Sequence, residues 1–305
     1  MSSIERAMSK LAGEEHAPDT EQPSTSPSAA PPANDIPVPG TVAAAELTTS
    51  VGADGFSAPD VSLNSSVTKV QLDLERMAAA GFLCPNQPMT RESEEYQQIK
   101  RRLLGNMTPE LLQKKPPSNL ILITSSVPNE GKTFTVTNLA MSLAMEVDHT
   151  VLVIDTDIMK RDLSKIFLVS DRLGLFDLLS NPKLKLEDLL VRTSIPNLVI
   201  LPAGFRSESS TELLASLRMK ELTEELSRRY ADRVLLFDSP PVLATTTAAA
   251  IAPFMGQVLL VAEAGKTKHE TVLEGIARLD QARITGMILN KAKQQMMPSY
   301  DYYHS

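Results

Sequence analysis

The sequence predicts an open, doubly wound α/β fold with a mostly parallel sheet, on three observations. Six short apolar runs alternate with helix-like stretches, a Gly-Lys-Thr turn separates the first run from the helix after it, and aspartates end two later runs. Strand–helix alternation is the pattern of a parallel sheet covered on both faces, and such sheets bind ligands beyond the carboxyl ends of their strands.

The elements follow in chain order. Ile4, Met8 and Leu11 recur at helical spacing, so residues 1–13 read as a short amphipathic helix. About three turns do not stand alone in water, so this segment either frays or docks on something. Residues 14–66 are rich in Pro, Ala, Ser and Thr and poor in large apolar side chains. Such a stretch buries too little surface to offset the entropy of ordering, and it reads as a disordered linker. Globular composition begins near Val67 and continues to about residue 295. Residues 91–104 read as a charged helix that ends near Gly105. The six strand candidates are Leu120–Thr124, Val151–Asp155, Leu198–Leu201, Val234–Asp238, Val258–Val261 and Ile284–Leu289. None alternates, so each is expected to be buried on both faces. Val136, Leu139, Ala140 and Leu143 mark the apolar face of the helix after the first strand. Ser209-x-x-Glu212 resembles a capping box that opens a helix carrying Leu213, Leu214 and Leu217.

A chain of 305 residues holds one α/β domain of about 200–250 residues with extensions. The net charge of -7 disfavours sequence-independent nucleic-acid binding, which depends on Lys and Arg neutralising phosphates. No apolar run approaches the roughly 20 residues of a membrane span, and residues 1–13 lack the apolar core of a secretory signal. The lone Cys84 allows no intrachain disulfide and fits a reducing cytoplasm. His16, His149, His269 and His304 form no metal-ligand spacing.

Ser125-Ser-Val-Pro-Asn-Glu-Gly-Lys-Thr133 lies between the first strand and an apolar-faced helix, the context of a P-loop. Gly131 lets the backbone approach phosphates, Lys132 reaches the β- and γ-oxygens of ATP, and Thr133 offers a hydroxyl to Mg²⁺. Ser126 stands where such loops usually carry their first Gly, and Ser126, Asn129 and Glu130 are further candidate nucleotide contacts of the loop. Val151-Leu-Val-Ile-Asp-Thr-Asp157 places Asp155 and Asp157 at a strand end, and alternation aims them to the same side. Asp238 ends another strand and is followed by Ser-Pro-Pro. Any one of them alone reads as a helix-capping Asp, but three beside a P-loop suit a metal and phosphoryl-transfer site. One or two acids with Thr133 suffice for Mg²⁺, which leaves another as a base. A second Gly-Lys-Thr, at 265–267, also follows a strand, but it lacks the preceding loop and reads as an echo without function.

The carboxyl terminus, Tyr300-Asp-Tyr-Tyr-His-Ser305, holds three of the chain's five tyrosines. Uniform scattering would put about 0.1 of them there, so Tyr300, Tyr302 and Tyr303 on residues 296–305 read as phospho-acceptors on a flexible tail. Each phosphate would add about -1.5 to -2 charge.

These motifs resemble those of the bacterial tyrosine kinases of polysaccharide export, and within them the soluble autokinases associated with exosortase loci. The likeness lies in the Ser-x-x-Pro-x-Glu-Gly-Lys-Thr loop, the strand ending in Asp-x-Asp, and Leu235–Pro241. Leu201-Pro-Ala-Gly204, Thr211–Ser216, the Ile4-Glu-Arg-Ala start and Glu95–Lys100 also carry it. The resemblance implies a P-loop NTPase fold of the deviant-Walker kind and autophosphorylation of the tyrosine cluster in trans. Lys132, Asp155 and Asp157 would be catalytic, Thr133, Asp155 and Asp238 would serve the metal, and Asn290 would touch the adenine. It further implies ATP and Mg²⁺ as cofactors, a homo-oligomer, and a separate membrane chain-length-determinant protein as activator, which would hold the kinase at the inner face of the membrane. The subunit-joining helix of this family commonly carries Glu-x-x-Arg-x-x-Arg; here Glu94, Gln97 and Lys100 stand in those places. Gln and Lys lack the bidentate carboxylate bonds of Arg, so a ring would need other contacts, such as Arg101 and Arg102.

Two other readings stay open at this stage. A switch ATPase of the partitioning or septum-positioning kind shares the fold, but it carries a signature Lys where this chain has Val127. A scaffold that uses ATP only to assemble an export complex would not need the catalytic residues, which are intact.

Overall fold

The computed structural model describes residues 69–146, 148–206, 210–279 and 284–292. The expected helix 1–13, the linker 14–66, the capping Ser209 and the tyrosine tail lie outside them. Eight strands form one sheet: β1 (Lys69–Val70), β2 (Leu120–Ser125), β3 (Thr150–Asp155), β4 (Val191–Thr193), β5 (Leu198–Leu201), β6 (Arg233–Asp238), β7 (Gln257–Glu263) and β8 (Ile284–Asn290). Their order across the sheet is β1-β4-β5-β3-β6-β2-β7-β8. Among the described strands β4 and β5 pair antiparallel, and the other neighbours run parallel.

The six expected strands are all present, with ends shifted by no more than two residues. The two not foreseen are β1 and β4, of two and three residues. Segments that short show no periodicity, and tertiary pairing makes them strands. Leu72 N–H donating to Ser194 Oγ at 3.1 Å ties the first of them down.

Strand geometry sends alternate side chains to opposite faces, so the sheet divides the core into two layers. Leu120, Leu122, Leu152, Ile154, Leu235 and Phe237 pack on one face under helices Leu175–Ser180, Leu217–Arg229 and His269–Arg278. Ile121, Ile123, Val151, Val153, Val234 and Leu236 pack on the other, under Lys132–Ala144 and Asp162–Ile166. Each fully buried Leu, Ile or Val is worth about 1.5–3 kcal/mol over exposure. The central strands therefore hold the site rigidly at their ends.

β8 does not meet the expectation of burial on both faces. It is an edge strand of the described sheet, and Met287 and Leu289 are 51% and 67% exposed. Conversely, helix Lys132–Ala144 is buried nearly all round, because Arg91–Gly105 packs over the side turned away from the sheet. The helix expected to carry Leu213, Leu214 and Leu217 is two helices, Ser210–Leu214 and Leu217–Arg229. Ser216 interrupts them and caps the second, with its Oγ accepting from Met219 N–H at 3.3 Å.

Helix Arg91–Gly105 opens on a reciprocal Thr90–Ser93 capping box. Glu94 lies on its exposed side, while Lys100 is drawn inward. The Lys100 ammonium pairs with Glu146 and donates to Ser142 O at 3.3 Å, so it is committed within its own chain. Arg101 and Arg102 are exposed. Among the described residues no helix is long and apolar enough to cross a membrane.

Candidate functional site

The site is built where β2, β3 and β6 end side by side. Register places Ile123 of β2 and Asp155 of β3 on either side of Asp238. Past β2 the chain turns through residues 126–130 into helix Lys132–Ala144, whose cap is Gly131 at φ 94°. A left-handed cap favours glycine, and here there is no room for more: a Cβ would lie 2.0 Å from Asn290 Nδ2. The helix start leaves free N–H groups and a partial positive charge at the loop mouth, an anion-binding arrangement.

Lys132 and Thr133 begin the helix and are buried. The Lys132 ammonium lies 3.5 Å from Asp157 Oδ2, and both side chains are under a tenth exposed. Asp157 Oδ1 accepts Lys160 N–H at 3.1 Å, which fixes the turn after β3. Asp155 and Asp157 do not share one task. Asp155 Oδ1 accepts Asp157 N–H at 3.0 Å, and its Oδ2 accepts the N–H and the hydroxyl of Ser164 at 3.0 and 2.6 Å. Asp155 thus staples its loop to helix Asp162–Ile166, and burial pushes its carboxyl up to about 6.

Asp238 is the opposite case. It is buried, and neither carboxylate oxygen has a hydrogen-bond partner. Burial raises its pKa well above the ordinary value of 3.8, against the pull of the Lys132 charge; the Thr133 hydroxyl also acts on it without closing a bond of ordinary geometry. An orphaned buried carboxylate beside a helix-start hydroxyl is the donor set that a hard divalent cation satisfies. Among the described residues no three acidic, His or Cys side chains form a metal cage by themselves. A cation here would complete its shell with water and phosphate oxygens.

The loop residues take unexpected roles. A Cβ on Gly275 would lie 2.5 Å from Ser126 Oγ, so that hydroxyl faces helix His269–Arg278 and only the Ser126 backbone is left for a phosphate. Asn129, at φ 69°, accepts Lys160 Nζ on its Oδ1 at 3.3 Å. Glu130 is buried and accepts Val127 N–H on Oε2 at 2.8 Å and the Thr267 hydroxyl on Oε1. Asn290 donates from Nδ2 to Glu130 O at 2.9 Å and accepts Lys291 N–H at 2.9 Å. Its side chain grips the loop, a role beside the adenine contact that the resemblance implies. Ser164, Thr267 and Lys291 were not legible as site residues, because nothing in their spacing relates them to the loop.

The arrangement is a phosphate cradle with a buried ammonium, a paired acid and an unpaired acid. Residues 119–296 match the AAA domain family. A tyrosine-protein kinase of Acinetobacter johnsonii, ptk, is 37% identical over 175 residues, which cover 57% of this chain and 23% of that protein. The chain thus spans about a quarter of the length of that relative. The Bacillus subtilis tyrosine-protein kinase YwqD is 29% identical over 219 residues, 71% of this chain and 88% of its own. Among solved structures the kinase domain of VpsO is 32% identical, with a TM-score of 0.53 over 66% of this chain and 98% of that domain. A P-loop between β2 and its helix and strand-end acids on β3 and β6, together with the similarity to these kinases, place the chain in the bacterial tyrosine kinase family.

Proposed function

We propose that the chain is an ATP-dependent protein-tyrosine autokinase that phosphorylates Tyr300, Tyr302 and Tyr303 in trans and regulates assembly and export of an extracellular polysaccharide. The observation that carries this reading is the Lys132–Asp157 pair beside the unpartnered Asp238 at the Gly131 turn. Lys132 and the helix start bind the β- and γ-phosphates and hold the transferring group against the strand ends. Thr133 and Asp238 would be the residues that hold Mg²⁺. The ion neutralises charge on the phosphates when bound. Asp157 takes the phenol proton as the tyrosine oxygen bonds to the γ-phosphorus and the bond to ADP breaks. Asp155, already accepting three hydrogen bonds, keeps Asp157 in place. A membrane chain-length-determinant protein serves as activator and holds the kinase at the inner face of the membrane; that part rests on the resemblance of the motifs to polysaccharide-export kinases.

The test is incubation with γ-labelled ATP and Mg²⁺, with and without the activator's cytoplasmic segment. Wild type takes up label, Lys132→Met takes up none, and a Tyr300/Tyr302/Tyr303→Phe triple variant takes up sharply less. Phosphate release from wild type with the activator present and no label on protein overturns the reading.

A further inference from the structure

The second Gly-Lys-Thr turn plays no part in the phosphate chemistry, yet it touches the phosphate loop. Thr267 lies beyond β7, on a turn closed by Thr267 N–H donating to Glu263 O at 3.0 Å, with Gly265 at φ 69°. Its hydroxyl works in both directions. It accepts Glu263 N–H at 3.0 Å and donates to Glu130 Oε1. Glu130 passes the restraint on through Oε2, which accepts Val127 N–H across the loop at 2.8 Å. From β8, Asn290 Nδ2 holds Glu130 O at 2.9 Å, and Lys291 Nζ reaches Asn129 O while pairing with Glu263 at 2.9 Å. Two strands outside the catalytic acids therefore grip the loop.

A phosphate loop binds its anion with backbone N–H groups, and their directions depend on the loop's conformation. Here that conformation includes two left-handed residues, Asn129 at 69° and Gly131 at 94°, in a stretch whose Pro128 and Asn129 are exposed. Ser125 Oγ holds Val127 O at 2.9 Å and Lys291 holds Asn129 O, and Glu130 supplies the bond that closes the loop across Val127 N–H. We infer that Thr267 is a positioning residue for the nucleotide, acting through Glu130 to hold the phosphate loop in its anion-binding shape. The inference rests on reading 126–133 as a nucleotide site. It turns the apparent echo of the P-loop motif into that loop's brace.

Donor and acceptor are both needed, so Ser substitutes for Thr and the isosteric Val does not. Isothermal titration of the full chain with magnesium-ADP measures this without requiring kinase activity. Thr267→Val should raise Kd about tenfold, and Thr267→Ser should stay within about twofold of wild type. In autophosphorylation the Val variant should raise KM for ATP by a like factor and leave kcat within about threefold, because uniform binding is what is lost. A role in stability alone lowers the melting temperature of nucleotide-free Thr267→Val and leaves Kd unchanged, and that result overturns the inference. Should Thr267→Val fail to fold, Glu130→Gln replaces it, having one side-chain acceptor oxygen for two donors: a raised Kd supports the brace, and an unchanged Kd overturns it. Absence of ADP binding by wild type would refute the nucleotide site itself, an outcome separate from failure of the brace.

Discussion

The same tripeptide occurs twice in this chain, and the fold uses it in opposite ways. Gly131-Lys132-Thr133 leads directly into a 13-residue helix, with its lysine and threonine buried against strand-end acids. Gly265-Lys266-Thr267 ends two residues short of helix His269–Arg278, with Lys268 as the cap and a lysine whose side chain is 72% exposed. The first faces free helix N–H groups and an unpartnered carboxylate. The second faces Glu263, already paired with Lys266 and Lys291. Motif identity therefore says little until the distance to the helix start and the state of the neighbouring acid are known.

The glycines offer the widest test of that difference. Gly131→Ala must adopt φ 94° and puts its Cβ 2.0 Å from Asn290 Nδ2, which displaces the amide from Glu130 O. Left-handed strain and a lost buried hydrogen bond together cost about 2–3 kcal/mol. Nucleotide affinity should fall more than about tenfold, since the loop and the helix start move together. Gly265→Ala meets open space and carries only the strain of φ 69°, about 1 kcal/mol. Urea denaturation and magnesium-ADP titration of both variants check this. Equal losses in the two would erase the distinction between the motifs.

Much of this was legible in the sequence because it is local. Apolar runs of four to six residues located six strands, and the Gly-Lys-Thr before an apolar-faced helix located the loop. Asp155, Asp157 and Asp238 were found because a strand end is readable. Their division of labour was not, since it depends on Ser164, nine residues past Asp155, supplying two hydrogen bonds to it. Glu130 was read as a nucleotide contact, but its partner Thr267 lies 137 residues away. No periodicity links such positions; only the parallel stacking of β2, β7 and β8 brings them together. Lys100 is similar. Its helix was foreseen, but the pull of Glu146 that turns it inward was not.

The acids beside the two motifs should also respond oppositely to pH. Around the first, burial raises Asp238 well above 3.8 and Asp155 to about 6. A carboxyl that holds its proton more tightly folded than unfolded makes the folded state lose stability as pH rises from about 3.8 through the folded pKa. Around the second, hydrogen bonding to Lys291 and then the weaker pull of Lys266 hold Glu263 below its ordinary 4.5. Its contribution is present above 4.5 and is lost on acidification. Asp238→Asn should therefore stabilise the nucleotide-free protein by about 1–2 kcal/mol at pH 7.5 and by nearly nothing at pH 4. It should also abolish the rise in Tm that magnesium-ADP gives wild type. Thermal melts across that pH range with and without the nucleotide decide it, and a variant less stable than wild type at pH 7.5 would mean that Asp238 is already satisfied.

The smallest effect sharpens the comparison most. Lys266 forms an i,i+3 pair with Glu263 at 3.4 Å from a side chain that is mostly in solvent. An exposed pair of this kind is worth about 0–1 kcal/mol and is screened by salt. Glu263 keeps Lys291 at 2.9 Å after the change. Lys266→Ala should therefore shift urea stability by no more than about 0.5 kcal/mol, with the shift vanishing at about 1 M salt. Its magnesium-ADP affinity should match wild type, because the Thr267 hydroxyl and the Lys291 contact both remain. A fall of more than about fivefold in affinity would mean that the second lysine also reaches the phosphates. The turn at 265–267 would then be half of the binding site, where the geometry makes it the wall that the site leans on.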